Sequence, residues 1–175
     1  MTGLGLMVAL ASCGDAGAGR YVGDYITQTD FDNLAGWGAD VNALTREHAH
    51  SGRFATVVNT TREYSLTYRL PLREASVHAL RAVEIDAWVF LPSSKASASL
   101  NVQVQPVSGV SGDALYNEEL HLLDQVQEFG KWTPIHRVFV LPTRLPAEAE
   151  LRIFLWRASS PEPVYLDDLR VKARE

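Results

Sequence analysis

Hydrophobic and polar positions alternate one to one along most of this chain, in short runs. In residues 79–91, Val83, Ile85, Ala87 and Val89 fall on one side of the alternation, and Glu84, Asp86, Trp88 and Phe90 on the other. In 98–107, Leu100, Val102 and Val104 alternate with Asn101, Gln103 and Gln105. In 151–157, Leu151, Ile153 and Leu155 oppose Arg152, Phe154 and Trp156. A period of two sends successive side chains to opposite faces of an extended strand, so each run predicts one buried face and one outward face. The same pattern predicts further strands at 30–34, 41–46, 53–59, 62–70, 115–127, 133–141 and 164–172. Turn chemistry separates them, at Ser51-Gly52, Pro92-Ser93-Ser94, 108–113, Gly130, 142–146 and 159–163. Segment 115–127 reads equally as a strand or as one or two helical turns, because Leu120, Leu122 and Leu123 break the alternation. So many short strands, with no long helical period, predict an all-β fold: an antiparallel two-sheet β-sandwich of jelly-roll type.

Charge narrows the partners. The 16 Lys and Arg and 21 Asp and Glu are spread along the chain, for a net charge of −5. There is no basic stripe, so the footprint of a nucleic-acid binder is missing. The body has no polybasic or amphipathic segment suited to a membrane surface.

The first residues change the picture of location. Met1 to Cys13 read MTGLGLMVALASC, an uncharged apolar run ending in Leu10-Ala11-Ser12-Cys13. That ending resembles the lipobox of bacterial lipoproteins, with Cys13 as the acylated first residue of the mature chain. A signal peptide ordinarily opens on a positive charge, and here the first basic residue is Arg20. Cys13 is the only cysteine, so it has no disulfide partner within the chain. The expected organisation is a signal peptide at 1–12, a lipidated Cys13 with a Gly/Ala-rich tether at 13–19, and one domain at 20–175. This places the protein at a bacterial cell envelope, lipid-anchored at the outer membrane and facing the periplasm or the surface. Its membrane contact would be the lipid, and envelope proteins would be further partners.

Landmarks follow one another in the body: Asp30-Phe31-Asp32, Trp37, His50-Ser51-Gly52, Glu63-Tyr64-Ser65, Ile85-Asp86-Ala87-Trp88, Lys131-Trp132, Phe154-Leu155-Trp156 and Tyr165-Leu166-Asp167-Asp168-Leu169. This series resembles the galactose-binding-like jelly-roll domains, in particular carbohydrate-binding modules. The resemblance covers 28–173. It implies a structural calcium ion that ties the first strand to the last. Carried over, the ligands are Asp32, backbone around 50–53, and Asp167 or Asp168. The family usually has Glu where this chain has Asp32. Calcium prefers this kind of donor, taking 6–8 oxygens that mix carboxylates with carbonyls. Parity with Tyr165, Leu169 and Val171 puts Asp167 on the inward face. The alternative is an Asp167 that caps backbone amides or pairs with Arg53.

Sugars present apolar CH faces and many hydroxyls, so their sites combine an aromatic platform with amides, carboxylates and guanidinium groups. The outward set Asp86, Trp88, Asn101, Gln103, Gln105, Arg152 and Trp156 has that composition. Trp37, Tyr64 and Tyr116 are candidates at a loop rim. Trp132 and Trp156 fall where the family has packing tryptophans, and the amide row also fits a plain solvated face.

Other chemistry is poorly supplied. His48-x-His50 puts two imidazoles on one face of a strand, but no third zinc ligand stands at a useful spacing. No nucleophile elbow, metalloprotease helix or phosphate loop is present. The expected function is a non-catalytic, carbohydrate-binding-module-like domain that holds a glycan. The alternatives are a structural or protein-interaction sandwich that binds no sugar, and a small glycan-active lyase or hydrolase using a carboxylate pair among Glu63, Glu74, Glu118 and Glu119.

Overall fold

The computed structural model describes residues 25–34, 37, 40–107 and 112–175. The expected signal peptide, Cys13 and tether lie outside the described residues. Among the described residues, ten strands form two antiparallel sheets. They are β1 (Tyr25–Thr29), β2 (Leu44–Thr45), β3 (Ala55–Val58), β4 (Tyr68–Pro71), β5 (Ala82–Phe90), β6 (Ser99–Gln105), β7 (Tyr116–His121), β8 (Trp132–Val140), β9 (Glu150–Trp156) and β10 (Val164–Arg174). The six-stranded sheet runs β2-β3-β10-β5-β8, with β1 also paired to β10. The four-stranded sheet runs β4-β9-β6-β7. No described helix is long and apolar enough to cross a membrane.

The alternation fixes the layers. Val83, Ile85, Ala87 and Val89 of β5 face Leu100, Val102 and Val104 of β6 and Leu151, Ile153 and Leu155 of β9 across one core. All these β6 and β9 residues are fully buried. Emptying one such site, as in Ile153→Ala, costs about 2–5 kcal/mol. Pro134 breaks the strand pattern of 133–141 without cost, because β8 is an edge strand and a missing N–H can point away from the ladder.

Several predicted boundaries move. Residues 30–34 are a turn, and the first strand precedes them as β1. Residues 41–46 split into a 3₁₀ turn, Val41–Ala43, and the two-residue β2. Segment 115–127 holds both alternatives, β7 followed by a 3₁₀ turn at Leu122–Asp124. A short helix, α1 (Leu72–Ala75), follows β4.

β10 corrects the parity of Asp167. Asp168 has a positive φ of 48°. The register slips between Asp167, opposite Trp88, and Arg170, opposite Asp86. This β-bulge adds one residue and reverses which face each later side chain takes. Val164 and Leu166 join the core before the bulge, and Leu169 and Val171 after it. Tyr165 and Asp167 therefore lie on the outward face. They are buried there by a loop, not by the core.

Candidate functional site

On the four-stranded sheet, β6 and β9 pair so that Ser99 opposes Trp156, Asn101 opposes Phe154, Gln103 opposes Arg152 and Gln105 opposes Glu150. The β6–β7 pairing adds Asn117 opposite Gln103 and Glu119 opposite Asn101. Five of the seven residues expected to bind glycan thus share one outward face: Asn101, Gln103, Gln105, Arg152 and Trp156. Neighbours hold them in place. Arg152 Nε donates to Glu150 Oε1 at 2.5 Å, and Arg69 donates to the same oxygen at 3.4 Å. Gln105 donates to Gln103 Oε1 at 3.2 Å. Asn101 is buried, and its amide donates to Ser99 O at 3.0 Å.

An aromatic group flanks the polar row. Tyr64 bridges to Trp156 and meets Phe154 edge-on, with ring centroids 5.7 Å apart. Tyr64 is 53% exposed. The Trp156 indole N–H donates to Glu63 Oε1 at 2.8 Å, and Arg157 Nε donates to Glu63 Oε2 at 2.9 Å. The hydrogen bond from Arg157, then that from Trp156, holds the Glu63 carboxyl below its usual range. Side-chain amides each donate and accept, and guanidinium only donates, so this face can meet hydroxyls in either sense. Glu63, considered in the sequence only as a landmark and a candidate catalytic carboxylate, supports it, as do Glu150 and Asn117, which were not singled out in the sequence. The alternation of Glu150 with Arg152 is the signal that could have found one of them.

Asp86 and Trp88 do not join that group. Both are on β5 and point outward from the six-stranded sheet, on the opposite side of the sandwich. The chain between β2 and β3 folds over this face. His50 stacks on Trp88 with centroids 3.9 Å apart and planes at 15°. His48 stacks on Phe90 at 4.4 Å, and Trp132 meets both His50 and Phe90 edge-on. One face of Trp88 is therefore covered by protein, and the expected open platform is not there. Trp37 is also not at a rim. It is buried against Phe31 and Tyr68. Tyr116 donates to Glu118 Oε2 at 2.6 Å, and burial with that bond raises its pKa.

The same loop is pinned by the residues expected to hold calcium. The backbone N–H groups of His50 and Ser51 donate to Asp167 Oδ2 at 2.7 and 3.1 Å. The N–H of Asp168 donates to Asp167 Oδ1 at 2.7 Å. Asp167 thus caps amides, which was the alternative role. Ser51 Oγ donates to Asp168 Oδ1 at 2.6 Å, and His50 Nδ1 contacts Asp168 Oδ2. Burial pushes the Asp167 carboxyl up to about 6 against the pull of its three amides. Asp32 Oδ2 accepts from Arg53 N at 2.9 Å, while Asp32 Oδ1 is buried with no hydrogen-bond partner. Gly52 has φ +58°, and a Cβ there would stand 2.2 Å from Asp32 Oδ2. Carboxylate oxygens are the hard donors that calcium takes, and Asp32 Oδ1, which has no hydrogen bond, lies 3.5 Å from Arg53 Nε.

The sandwich is similar to solved carbohydrate-binding modules. The CBM22-1 xylan-binding domain from Paenibacillus barcinonensis is 19% identical, over 89% of this chain and 97% of that one, with a TM-score of 0.54. A C-terminal family 22 carbohydrate-binding module from Clostridium thermocellum is 15% identical, over 88% and 97%, with a TM-score of 0.53. A family 16 carbohydrate-binding module is 14% identical, over 82% and 94%, with a TM-score of 0.53. The fold is therefore the jelly-roll β-sandwich of carbohydrate-binding modules. No family model matches the sequence, and neither does any curated protein.

Proposed function

We propose that the protein is a non-catalytic glycan-binding domain and that its ligand lies on the outward face of the four-stranded sheet. The observation that carries this reading is the cross-strand pairing of Gln103 with Arg152, with Gln105 and Glu150 beside them and the exposed Tyr64 along the face. One of the solved modules that share the fold, the CBM22-1 domain from Paenibacillus barcinonensis, is described as xylan-binding. A row of amide and guanidinium groups beside an aromatic ring is what a chain of hydroxylated rings needs. The test is a screen of the protein against soluble polysaccharides in calcium, read by tryptophan fluorescence. Saturable, sugar-specific quenching that Arg152→Ala removes supports the reading. A flat response across the panel favours the structural or protein-interaction alternative.

Two further parts of the proposal concern stability and place. Calcium held by Asp32, Asp168 and neighbouring oxygens would fasten β1 and the 50–53 turn to β10. Asp32 Oδ1, buried without a hydrogen bond and 3.5 Å from Arg53 Nε, supports this. When bound, the ion supplies positive charge to a cluster of carboxylates. Chelation should then lower the melting temperature, and Asp32→Ala should abolish the difference. An equal melt with and without chelator removes the calcium site. The Leu10-Ala11-Ser12-Cys13 sequence supports acylation at Cys13 and an anchored position at a bacterial envelope. Metabolic labelling with a palmitate analogue should mark the wild type and not Cys13→Ala.

A further inference from the structure

The outward face of the six-stranded sheet has polar residues that neither the glycan face nor the calcium site uses. Four of them form a straight row across four strands. Gln28 of β1 opposes Arg170 of β10. Arg170 opposes Asp86 of β5, and Asp86 opposes His136 of β8. Three inter-strand spacings of about 4.8 Å make this row roughly 14 Å long. Two depressions lie along it. One, about 350 Å³, is lined by Gln28, Asp168 and Arg170 among others. The other, about 280 Å³, is lined by Asp86, Trp88, His136, Asp168 and Arg170. Asp168 and Arg170 border both, so the two form one groove transverse to the strands.

The chemistry of the row selects a ligand class. Asp86 Oδ1 and His136 Nδ1 are 2.8 Å apart and fix each other. Arg170 is exposed, and its side chain makes no hydrogen bond or ion pair with the described residues. Its five N–H donors are open to a ligand. Along the row, Gln28 donates and accepts, Arg170 donates, and Asp86 accepts. An anion would meet the Asp86 carboxylate, whose Oδ2 lies 3.7 Å from Lys172 Nζ, and a cation would meet Arg170. Hydroxyl groups suit the alternation, because each both donates and accepts. Trp88 adds an apolar wall. His50 covers one face of its indole, and the smaller depression borders what remains of it.

We infer that this groove is a second, separate binding site for a neutral oligosaccharide, which makes the domain bivalent. The groove lies on the opposite side of the sandwich from Gln103 and Arg152 and shares no residue with them. Two sites on opposite faces can engage two chains, or two parts of one chain, and raise avidity without tighter single contacts.

The test is amide chemical-shift mapping of the isotope-labelled protein in calcium, with xylohexaose, cellohexaose and a linear β-1,4-galactan oligosaccharide as probes. Saturable shifts at Gln28, Asp86, His136 and Arg170 with at least one probe are expected. They should persist in Gln103→Ala/Arg152→Ala, weaken at least tenfold in Arg170→Ala, and weaken likewise in His136→Ala. Both groove substitutions are at exposed side chains, so the fold should survive, and a wild-type melt in each variant checks it. No shift in this row with any probe at millimolar concentration overturns the inference. So do shifts that both groove variants leave intact. Loss of shifts on the four-stranded sheet alone would count against the first site and leave this one standing.

Discussion

The two outward faces of the sandwich come from the same alternation and have different fates. On the four-stranded sheet, β6 and β9 present amides, Arg152 and Trp156 beside an exposed Tyr64. On the six-stranded sheet, β5 presents Asp86, Trp88 and Phe90, and the chain after β2 lays His48 and His50 over the two aromatics. Alternation tells which way a side chain points. It does not tell what will be lying on it. Around Trp88 and Phe90 the six-stranded face is covered by a structural joint built on Asp167, while the row from Gln103 to Arg152 on the other sheet has no such loop laid over it among the described residues.

The largest expected effect is at that joint. Asp167→Ala strands the N–H groups of His50, Ser51 and Asp168 in a part-buried setting. Each lost partner costs about 1–3 kcal/mol, so a loss of about 3 kcal/mol or more is expected in a denaturant melt. A loss below about 1 kcal/mol would mean that the loop does not need its aspartate.

Gly52→Ala comes next. Its φ of +58° already disfavours a side chain by about 1–2 kcal/mol. The new Cβ also collides with the Asp32 carboxylate, 2.2 Å away. A thermal melt should show both penalties, and chelation should no longer change the result if displacement of Asp32 empties the cation site. A wild-type melting temperature would show that the turn has room to spare.

Trp88→Ala sharpens the contrast between faces. It removes the His50 stack, worth about 0.5–1.5 kcal/mol beyond burial, and should lower stability by about 2 kcal/mol. Glycan affinity at the four-stranded sheet should stay as it was. Gln103→Ala reverses the pattern, with a stability change within about 0.5 kcal/mol and a clear loss of affinity. If both variants lost affinity equally, the two faces would not be independent.

The smallest effect is in acid. Glu84 is pulled below its ordinary pKa of 4.5, first by the hydrogen bond from Arg174 and then by the charges of Arg174 and Lys172. A carboxylate depressed in the folded state adds stability above the unfolded pKa and loses it as pH falls through the folded value. The melting temperature should thus decline below about pH 4.5, and the decline should be shallower in Arg174→Ala. Equal slopes in the two proteins would show that the Glu84 pair contributes nothing to acid sensitivity.

Much of the fold was legible because its signal is local. Leu100, Val102 and Val104 had to share a buried face once β6 was extended, and they do. The bulge at Asp168 was not legible, since one inserted residue leaves the sequence pattern looking regular while it reverses every later face. Asp86 and Trp88 were grouped with the amides because outwardness was read strand by strand. The order of strands in each sheet, which separates β5 from β6 and β9, is a long-range property. The histidines were weighed as metal ligands. Their partners, Phe90 and Trp88, stand about forty residues away in the chain, where no spacing rule reaches.

The most direct measurement is a calorimetric titration of three proteins in calcium, the wild type, Gln103→Ala/Arg152→Ala and Trp88→Ala, with the polysaccharide that the screen selects. The expected result is saturable binding in the wild type and in Trp88→Ala, and in the double variant the loss of one class of sites from the isotherm at an unchanged melting temperature. An isotherm in the double variant identical to the wild type's, or no heat of binding in the wild type, would contradict a glycan site on the four-stranded sheet.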